Sequence, residues 1–494
     1  GSLQAPGGDR MTKQLRRLSV VVLLMFLSLF AATSVIQVAL AGQLNENPEN
    51  RRTLYDSYEV QRGTVYAGST AIASSKPSDD VYSWIRTYPD AEMWAPVTGF
   101  INPVLRSSTG MEYAMNAALA GTGSQQFLTR LDQIVSGQPA RGSNVLLSLD
   151  PKVQKVAYDA LDGLEGAVVA MEPDTGRILA MATSPSYDTN LLASHNSSSV
   201  NAADQKLQAD PLRPLTNRVT RETEPPGSTF KLVVASAALA SGKYTPDSTF
   251  DNPATFTLPG TTNVLHNFDR GTCGPGEKTT LETALRLSCN IPMAELALEL
   301  GTDAIREQAQ KFGFNSAFEI PLDVTASSYR EGFDEPQTAL SGIGQTDVRA
   351  TPLQMAMVAA GIANDGVVMN PRMVDRVVAS DLTVQDEPAD TEFGRAVSPE
   401  VAQTMTQLMI GNVKNGAASG ARIDGVDVAG KTGTAEHDPG DPYTLWFTGF
   451  APAEDPKVVV TVMVENGGGL GQNGTSNGIA APIAKKVIEA VLSE

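Results

Sequence analysis

Pro225-Pro226-Gly227-Ser228-Thr229-Phe230-Lys231 opens a run, Ser228 to Ala240, whose composition favours helix and contains no breaker. Phe230, Leu232, Val233, Val234, Ala235 and the alanines and leucine up to Ala240 make it apolar on nearly every face, and a helix apolar all round is a buried one. Ser228 and Lys231 stand in its first turn, three residues apart, and so share a face. Burial disfavours the charged form of an amine, so Lys231 is expected to be neutral and to serve as general base on the serine beside it. Gly227 permits a tight entry into the helix, whose free N–H groups can stabilise an oxyanion. A Ser-x-x-Lys match alone has a plainer reading, an N-cap serine and a solvated lysine. Partner motifs elsewhere in the chain decide between the two.

The sequence on either side reads as α+β. Val145 to Leu149 is a predicted strand and Pro151 to Leu161 a helix. Gly166 to Met171 and Arg177 to Thr183 form a hairpin around Glu172-Pro173-Asp174-Thr175-Gly176, and Ser/Asn-rich Asp188 to Asp210 reads as loop. Thr279-Thr280-Leu281-Glu282 resembles a capping box opening a helix to Leu287, while Pro292 and Gly301 bound a second one, Met293 to Leu300. Ser288-Cys289-Asn290 then occupies the tight turn between them, where a hydroxyl and an amide can be aimed into a cleft. Val426 to Ala429 alternates like a strand and leads into Gly430-Lys431-Thr432-Gly433-Thr434. Two more strands (Leu445 to Ala451, Lys457 to Val464), a Gly-rich loop (Gly467 to Gly474) and a helix (Ala481 to Leu492) follow. The expected architecture is an antiparallel five-stranded sheet flanked by helices, spanning residues 144–494. Residues 44–143 form a small β-rich pedestal with short β-like pieces (Gly63 to Tyr66, Ala71 to Ala73), a helical stretch from Gly110 to Leu119, and no chemistry of its own.

Composition sets the outer limits. The 494 residues are 41% hydrophobic and 19% charged, a globular balance. The formal charge of −18 argues against nucleic acid as a partner. Residues 1–10 precede Met11 and read as a cloning remnant; Met11 to Arg17 is then a short basic cytoplasmic tail. Leu18 to Leu40 is long and apolar enough to span a bilayer, and the positive residues before it place the rest of the chain outside. A cleaved signal peptide ending at Ala39-Leu40-Ala41 is the competing reading. Cys273 and Cys289, 16 residues apart and the chain's only cysteines, are expected to pair in that compartment, the alternative being two buried free thiols. His195, His266 and His437 lack metal-ligand spacing, so no metal is expected.

Ser228-x-x-Lys231, Ser288-x-Asn290 and Lys431-Thr432-Gly433, in that order, are a specific combination. Through them the chain resembles the penicillin-binding proteins, in the serine acyl-transferase superfamily that includes β-lactamases. Gly166 to Pro185, Pro226 to Lys231, Gly344-Gln345 with Thr351 to Gln354, and Gly430 to Glu436 extend the likeness over about residues 145–494. The pedestal and single anchor are similar to those of class B members, most of all the actinobacterial penicillin-binding protein A group. One rival pattern is present: Gly425, Gly430, Lys431 and Thr432 fit a P-loop literally. That motif needs a helix after Lys-Thr, and Gly433 stands where it would begin.

The resemblance implies a peptidoglycan D,D-transpeptidase that needs no cofactor, acts on stem peptides and is acylated by β-lactams. It admits a membrane-embedded glycan polymerase as partner. Ser228 would attack the penultimate D-alanine carbonyl, Lys231 would take its proton, and Ser288 would pass a proton to the departing D-alanine. Asn290 would hold the substrate backbone. Lys431, Thr432, Gly433 and Thr434 would receive the terminal carboxylate, with Lys431 charged and Lys231 neutral. The Ser228 and Thr434 N–H groups would form the oxyanion hole. An anchored β-lactamase or D,D-carboxypeptidase, and a non-catalytic β-lactam sensor or scaffold, carry overlapping motifs. The lifetime of the penicilloyl adduct separates the first pair from a transpeptidase.

Overall fold

The computed structural model describes residues 8–36, 58, 60–123, 141–318 and 320–493. Helix α1 (Gly8–Ser34) begins the chain. Its Leu15–Ser34 stretch, 20 residues of mean hydropathy 2.0 with no part buried, is long and apolar enough to cross a membrane. The helix takes in Gly8 to Arg10, and the last four residues of the predicted span, 37–40, lie outside the described residues. The pedestal supplies β1 (Val65–Ala67), β2 (Thr70–Pro77) and β3 (Trp84–Thr87). Next come β4 (Asn144–Leu147), α2 (Pro151–Leu161), β5 (Gly166–Met171) and β6 (Ile178–Ser184). The central helices are α3 (Lys231–Ala240), α4 (Leu281–Arg286), α5 (Ile291–Leu300) and α6 (Pro352–Ala363). The chain ends through β7 (Val374–Val378), β8 (Val384–Asp386), α7 (Pro399–Asn415), β9 (Ala429–Ala435), β10 (Thr444–Ala451), β11 (Val458–Val464) and α8 (Ala480–Leu492).

The five-stranded sheet runs β9-β10-β11-β5-β6 with every pair antiparallel, as expected. Successive residues of a strand face opposite ways, and here both faces are dry. Ala167, Val169, Met171, Val459 and Met463 join the core under α3, α6 and α7, while Val168, Ala170, Val458, Val460 and Val462 join the core under α2 and α8. Wholly buried Arg218 pairs with Glu165 at 2.9 Å and Glu465 at 3.0 Å, tying the segment before Pro225 to the residues flanking β5 and β11.

Three expectations change. The boundary at residue 144 cuts through a sheet: β8-β7-β4-β1-β2-β3 is one six-stranded sheet, with β1 parallel to β4, and it joins pedestal strands to residues 374–386. Asp188 to Asp210 holds two helices, Thr189–Ala193 and Ser197–Gln208, capped by the Asp188 and Asn196 side chains. Helix α4 is capped by Thr280, whose Oγ1 accepts from Thr283 N at 3.1 Å, so the predicted box from Thr279 is one residue out of register.

The pedestal core contains an ion cluster. Glu112, with no exposed surface, meets Arg62 at 2.8 Å and Arg86 at 2.5 Å. Burial alone would raise the Glu112 carboxyl, but the two guanidiniums outweigh it and hold it below the usual range. Glu112→Gln keeps the shape and leaves two buried cations without a counter-charge, so a loss of about 3–5 kcal/mol is expected in denaturant unfolding. A loss well under 1 kcal/mol would mean that water reaches the cluster.

Candidate active site

The nucleophile turn is built by close backbone contact. Gly227 takes φ +53°, and residues Gly227–Phe230 form a 3-10 turn before α3 begins at Lys231. The single helix expected from Ser228 is therefore tighter at its start, because Thr229 N and Oγ1 both donate to Pro226 O, at 3.3 and 2.6 Å. A Cβ at Gly227 would lie 2.6 Å from Thr434 O, and one at Gly433 would lie 2.7 Å from Pro226 O. These two glycines let the edge strand β9 lie against the turn, which brings the Ser228 backbone beside that of Thr434. Gly433 thus acts first as a packing position. Gly344 closes the other side, where Gly227 N donates to Gly344 O at 3.1 Å.

Phe230, fully buried against Phe314 and Tyr329, fixes the start of the helix. Lys231 beside it has no exposed surface. Its Nζ donates to Ser288 O at 2.8 Å, Cys289 O at 2.9 Å and Asn290 Oδ1 at 2.8 Å. Ser288 reaches this position in a left-handed conformation, φ +61°, at the turn between α4 and α5. Across the site, Lys431 Nζ donates to Ser288 Oγ at 2.6 Å and Thr432 O at 2.9 Å. Ser288 therefore links the two amines, one through its carbonyl and one through its hydroxyl. Among the described residues, the hydrogen bonds of Lys231 run to this turn and none runs to the Ser228 hydroxyl, a contact that apo sites often tighten only with substrate bound.

Burial, and then the charge of Lys431, push Lys231 well below the usual lysine range. Burial pushes Lys431 down as well, to about 7. The physical cause is its position at 1% exposure on a strand between the turn and the core. Two opposing demands meet at Lys231: three acceptors suit an ammonium, whereas burial beside a second cation suits an amine. A neutral Lys231 has two N–H donors for three acceptors and must release one contact, which frees its lone pair.

Thr432 and Thr434 line a cleft of about 750 Å³ together with Ser228, Ser288 and Asn290. Thr434 Oγ1 lies 3.0 Å from Ser476 Oγ, which donates to Gly433 O at 2.5 Å. Cys273 and Cys289 form a disulfide with Cα atoms 5.7 Å apart, and both residues are buried. The bridge ties the Ser288 turn to the loop before α4. After Lys431-Thr432 the chain continues as strand to Ala435, which removes the P-loop reading.

Several lining residues were not singled out from sequence: Asn267, Ser476, Asn477 and Glu436. His266 and His437, read as unlinked, both line the cleft, while His195 pairs with Asp80 elsewhere. No group of three metal-ligating side chains occurs among the described residues. Gln345 had been quoted without a role; its side-chain amide, oriented to satisfy both atoms, pairs with the Glu436 backbone at 3.2 and 2.9 Å and so extends the edge of β9.

Comparisons with known proteins agree with this geometry. Residues 166–489 match the penicillin binding protein transpeptidase domain, and residues 62–145 match the penicillin binding protein A dimerisation domain. The chain is 43% identical over 493 residues to peptidoglycan D,D-transpeptidase PbpA of Mycolicibacterium smegmatis, covering 98% of this chain and 100% of that protein. It is 41% identical over 491 residues to PbpA of Mycobacterium tuberculosis, covering 98% and 99%. Among solved structures, the ceftriaxone acyl-enzyme of penicillin-binding protein A from M. tuberculosis superposes with TM-score 0.86 at 41% identity, covering 89% of this chain and 100% of that one. The penicillin G acyl-enzyme of the same protein gives 0.83, with 88% and 100% covered.

Proposed function

This chain belongs to the penicillin-binding protein transpeptidases, and from that membership we propose how its residues divide the reaction. It is a serine-type peptidoglycan D,D-transpeptidase, acting on stem peptides and acylated by β-lactams. Ser228 Oγ attacks the penultimate D-alanine carbonyl, and Lys231 takes its proton. The oxyanion forms against the Ser228 and Thr434 N–H groups. Ser288, hydrogen-bonded between the two lysine sites, delivers a proton to the departing D-alanine amine. Asn290 holds the substrate backbone, while Lys431 and the hydroxyls of Thr432 and Thr434 receive the terminal carboxylate. An amine of a neighbouring stem peptide then resolves the acyl-enzyme and completes the cross-link.

One observation carries this reading. A fully buried lysine lies in the first turn after Ser228, its amine held by the Ser288-Cys289-Asn290 turn and depressed by a second lysine. Structural lysines are rarely placed so, whereas a general base requires it.

The Leu15–Ser34 helix and the basic residues Arg16 and Arg17 near its start support a single-pass anchor with the catalytic domain outside the cytoplasm. The disulfide accords with that compartment. A membrane-embedded glycan polymerase is the partner such an anchored cross-linking domain would serve.

The test is intact mass after incubation with penicillin G. A single adduct of the whole antibiotic, lasting hours, is expected. Turnover within seconds would make the protein a hydrolase instead, and no adduct at all would remove the catalytic reading.

A further inference from the structure

Helix α5 starts after Asn290, a residue type that strongly favours capping its own helix through its side chain. Asn290 does not do so: its backbone is helical and its side chain makes no capping bond. The side chain is committed elsewhere, with Oδ1 accepting from Lys231 Nζ at 2.8 Å and Nδ2 donating to His266 O at 3.0 Å. The first N–H groups of the helix still need acceptors. A single oxygen from 23 residues upstream meets two of them: Asn267 Oδ1 accepts from Asn290 N at 2.8 Å and from Ile291 N at 3.1 Å.

Asn267 is itself held firmly. It is 4% exposed, and its Nδ2 donates to Gly271 O at 2.9 Å. Two residues beyond Gly271, Cys273 is bridged to Cys289, and Cys273 N donates to Asn252 Oδ1 at 2.6 Å. The loop that carries Asn267 is therefore fastened to the Ser288 turn covalently by the bridge, through this amide, and through His266 O, which accepts from Asn290 Nδ2.

We propose that Asn267 is a positioning residue for the transpeptidase reaction. By holding the Asn290 and Ile291 N–H groups, it fixes the turn that carries the Asn290 amide to the Lys231 amine, and so sets both the direction and the proton affinity of that amine. The inference rests on the reading of Ser228 and Lys231 as nucleophile and base. Without the Asn267 oxygen, the Asn290 and Ile291 N–H groups lose their acceptor, and the Asn290 side chain cannot replace it: a cap accepts from the second or third helical N–H, and Pro292 has none. The turn must then shift to find water or another acceptor, which carries the Asn290 amide off the Lys231 amine and leaves that amine only the two backbone carbonyls. The charged group that faces Lys231 is Lys431, from β9; the Ser288 turn and the Asn267 loop present neutral amides and carbonyls to it.

The experiment measures the rate of acylation by penicillin G across pH in the full chain, for the wild type, Asn267→Ala and Asn267→Asp. Asn267→Ala should acylate about 10- to 100-fold more slowly, the scale of a misplaced catalytic group. Asn267→Asp keeps an acceptor for both N–H groups and should restore the rate to within a few-fold. Its added negative charge favours the ammonium, so the rising limb of the pH profile should move to higher pH. Wild-type rates in Asn267→Ala would overturn the proposal, as would an Asp variant that neither rescues nor shifts. If Asn267→Ala does not fold, the Asp limb decides alone, and an unshifted limb overturns the proposal. A wild type that takes up no adduct at any pH would fail the underlying reading of Ser228 instead, a result distinct from either.

Discussion

Ser228→Ala abolishes the penicilloyl adduct while leaving the fold intact. Ser228 is half-buried at the mouth of the cleft, and its side chain accepts no hydrogen bond that another residue depends on among those described. Removing one oxygen there creates no cavity and strands no donor, so stability should change by about 0.5 kcal/mol or less. Reactivity should vanish completely, because the adduct is a covalent bond to that oxygen. The serine hydroxyl of the neighbouring turn, Ser288, already accepts from Lys431 at 2.6 Å and is committed to the turn. Intact mass and peptide mapping after penicillin treatment check the assignment. Survival of the adduct, or its recovery on Ser288, removes Ser228 from the role of nucleophile.

What the sequence disclosed, and what it hid, follows from the range of the signal. Ser228, Lys231, Ser288, Asn290 and Lys431 were legible because acyl transfer needs those side chains in short, ordered motifs. β5, β10 and β11 were legible as apolar runs, although being dry on both faces they lack the alternation that would have assigned each residue to a face. The two helices in residues 189–208 were missed because Asp188 and Asn196, read as loop residues, are their N-caps. Asn267 and Ser476 gave no warning: a lone amide or hydroxyl in a loop looks like any surface residue, and their partners lie 23 and 43 residues away. The shared six-stranded sheet was equally hidden, since nothing local to Asn144–Leu147 reports that Val374–Val378 pairs with it. The burial of Lys431 was hidden for a related reason. The Lys-Thr-Gly motif states the residue type, but the 1% exposure that pulls its amine to about 7 comes from packing.

The burial of both lysines shapes the pH dependence expected of the pair. With Lys231 as the proposed base, acylation should require it without its proton, and the rate should rise with pH through a titration well below that of free lysine. With Lys431 as the proposed receptor of the carboxylate, affinity should fall as pH passes about 7. The two requirements together give a bell-shaped profile for acylation efficiency, whose limbs belong to the coupled pair rather than to either residue. Lys431→Met removes the neighbouring cation that holds Lys231 down, so the rising limb should move to higher pH as binding weakens. Lys231→Arg keeps the positive charge but cannot give up its proton at working pH, and its planar fork does not match the three acceptors around the amine. Its acylation by penicillin should be slower by about 10²–10⁴-fold, the usual contribution of a general base. The comparison is made as rate against pH for the wild type and both variants, under conditions where all three unfold at similar denaturant concentrations. A Lys231→Arg enzyme that acylates at near wild-type rate would falsify the base role. A Lys431→Met profile with an unmoved rising limb would show instead that burial alone, without the second cation, sets the proton affinity of Lys231.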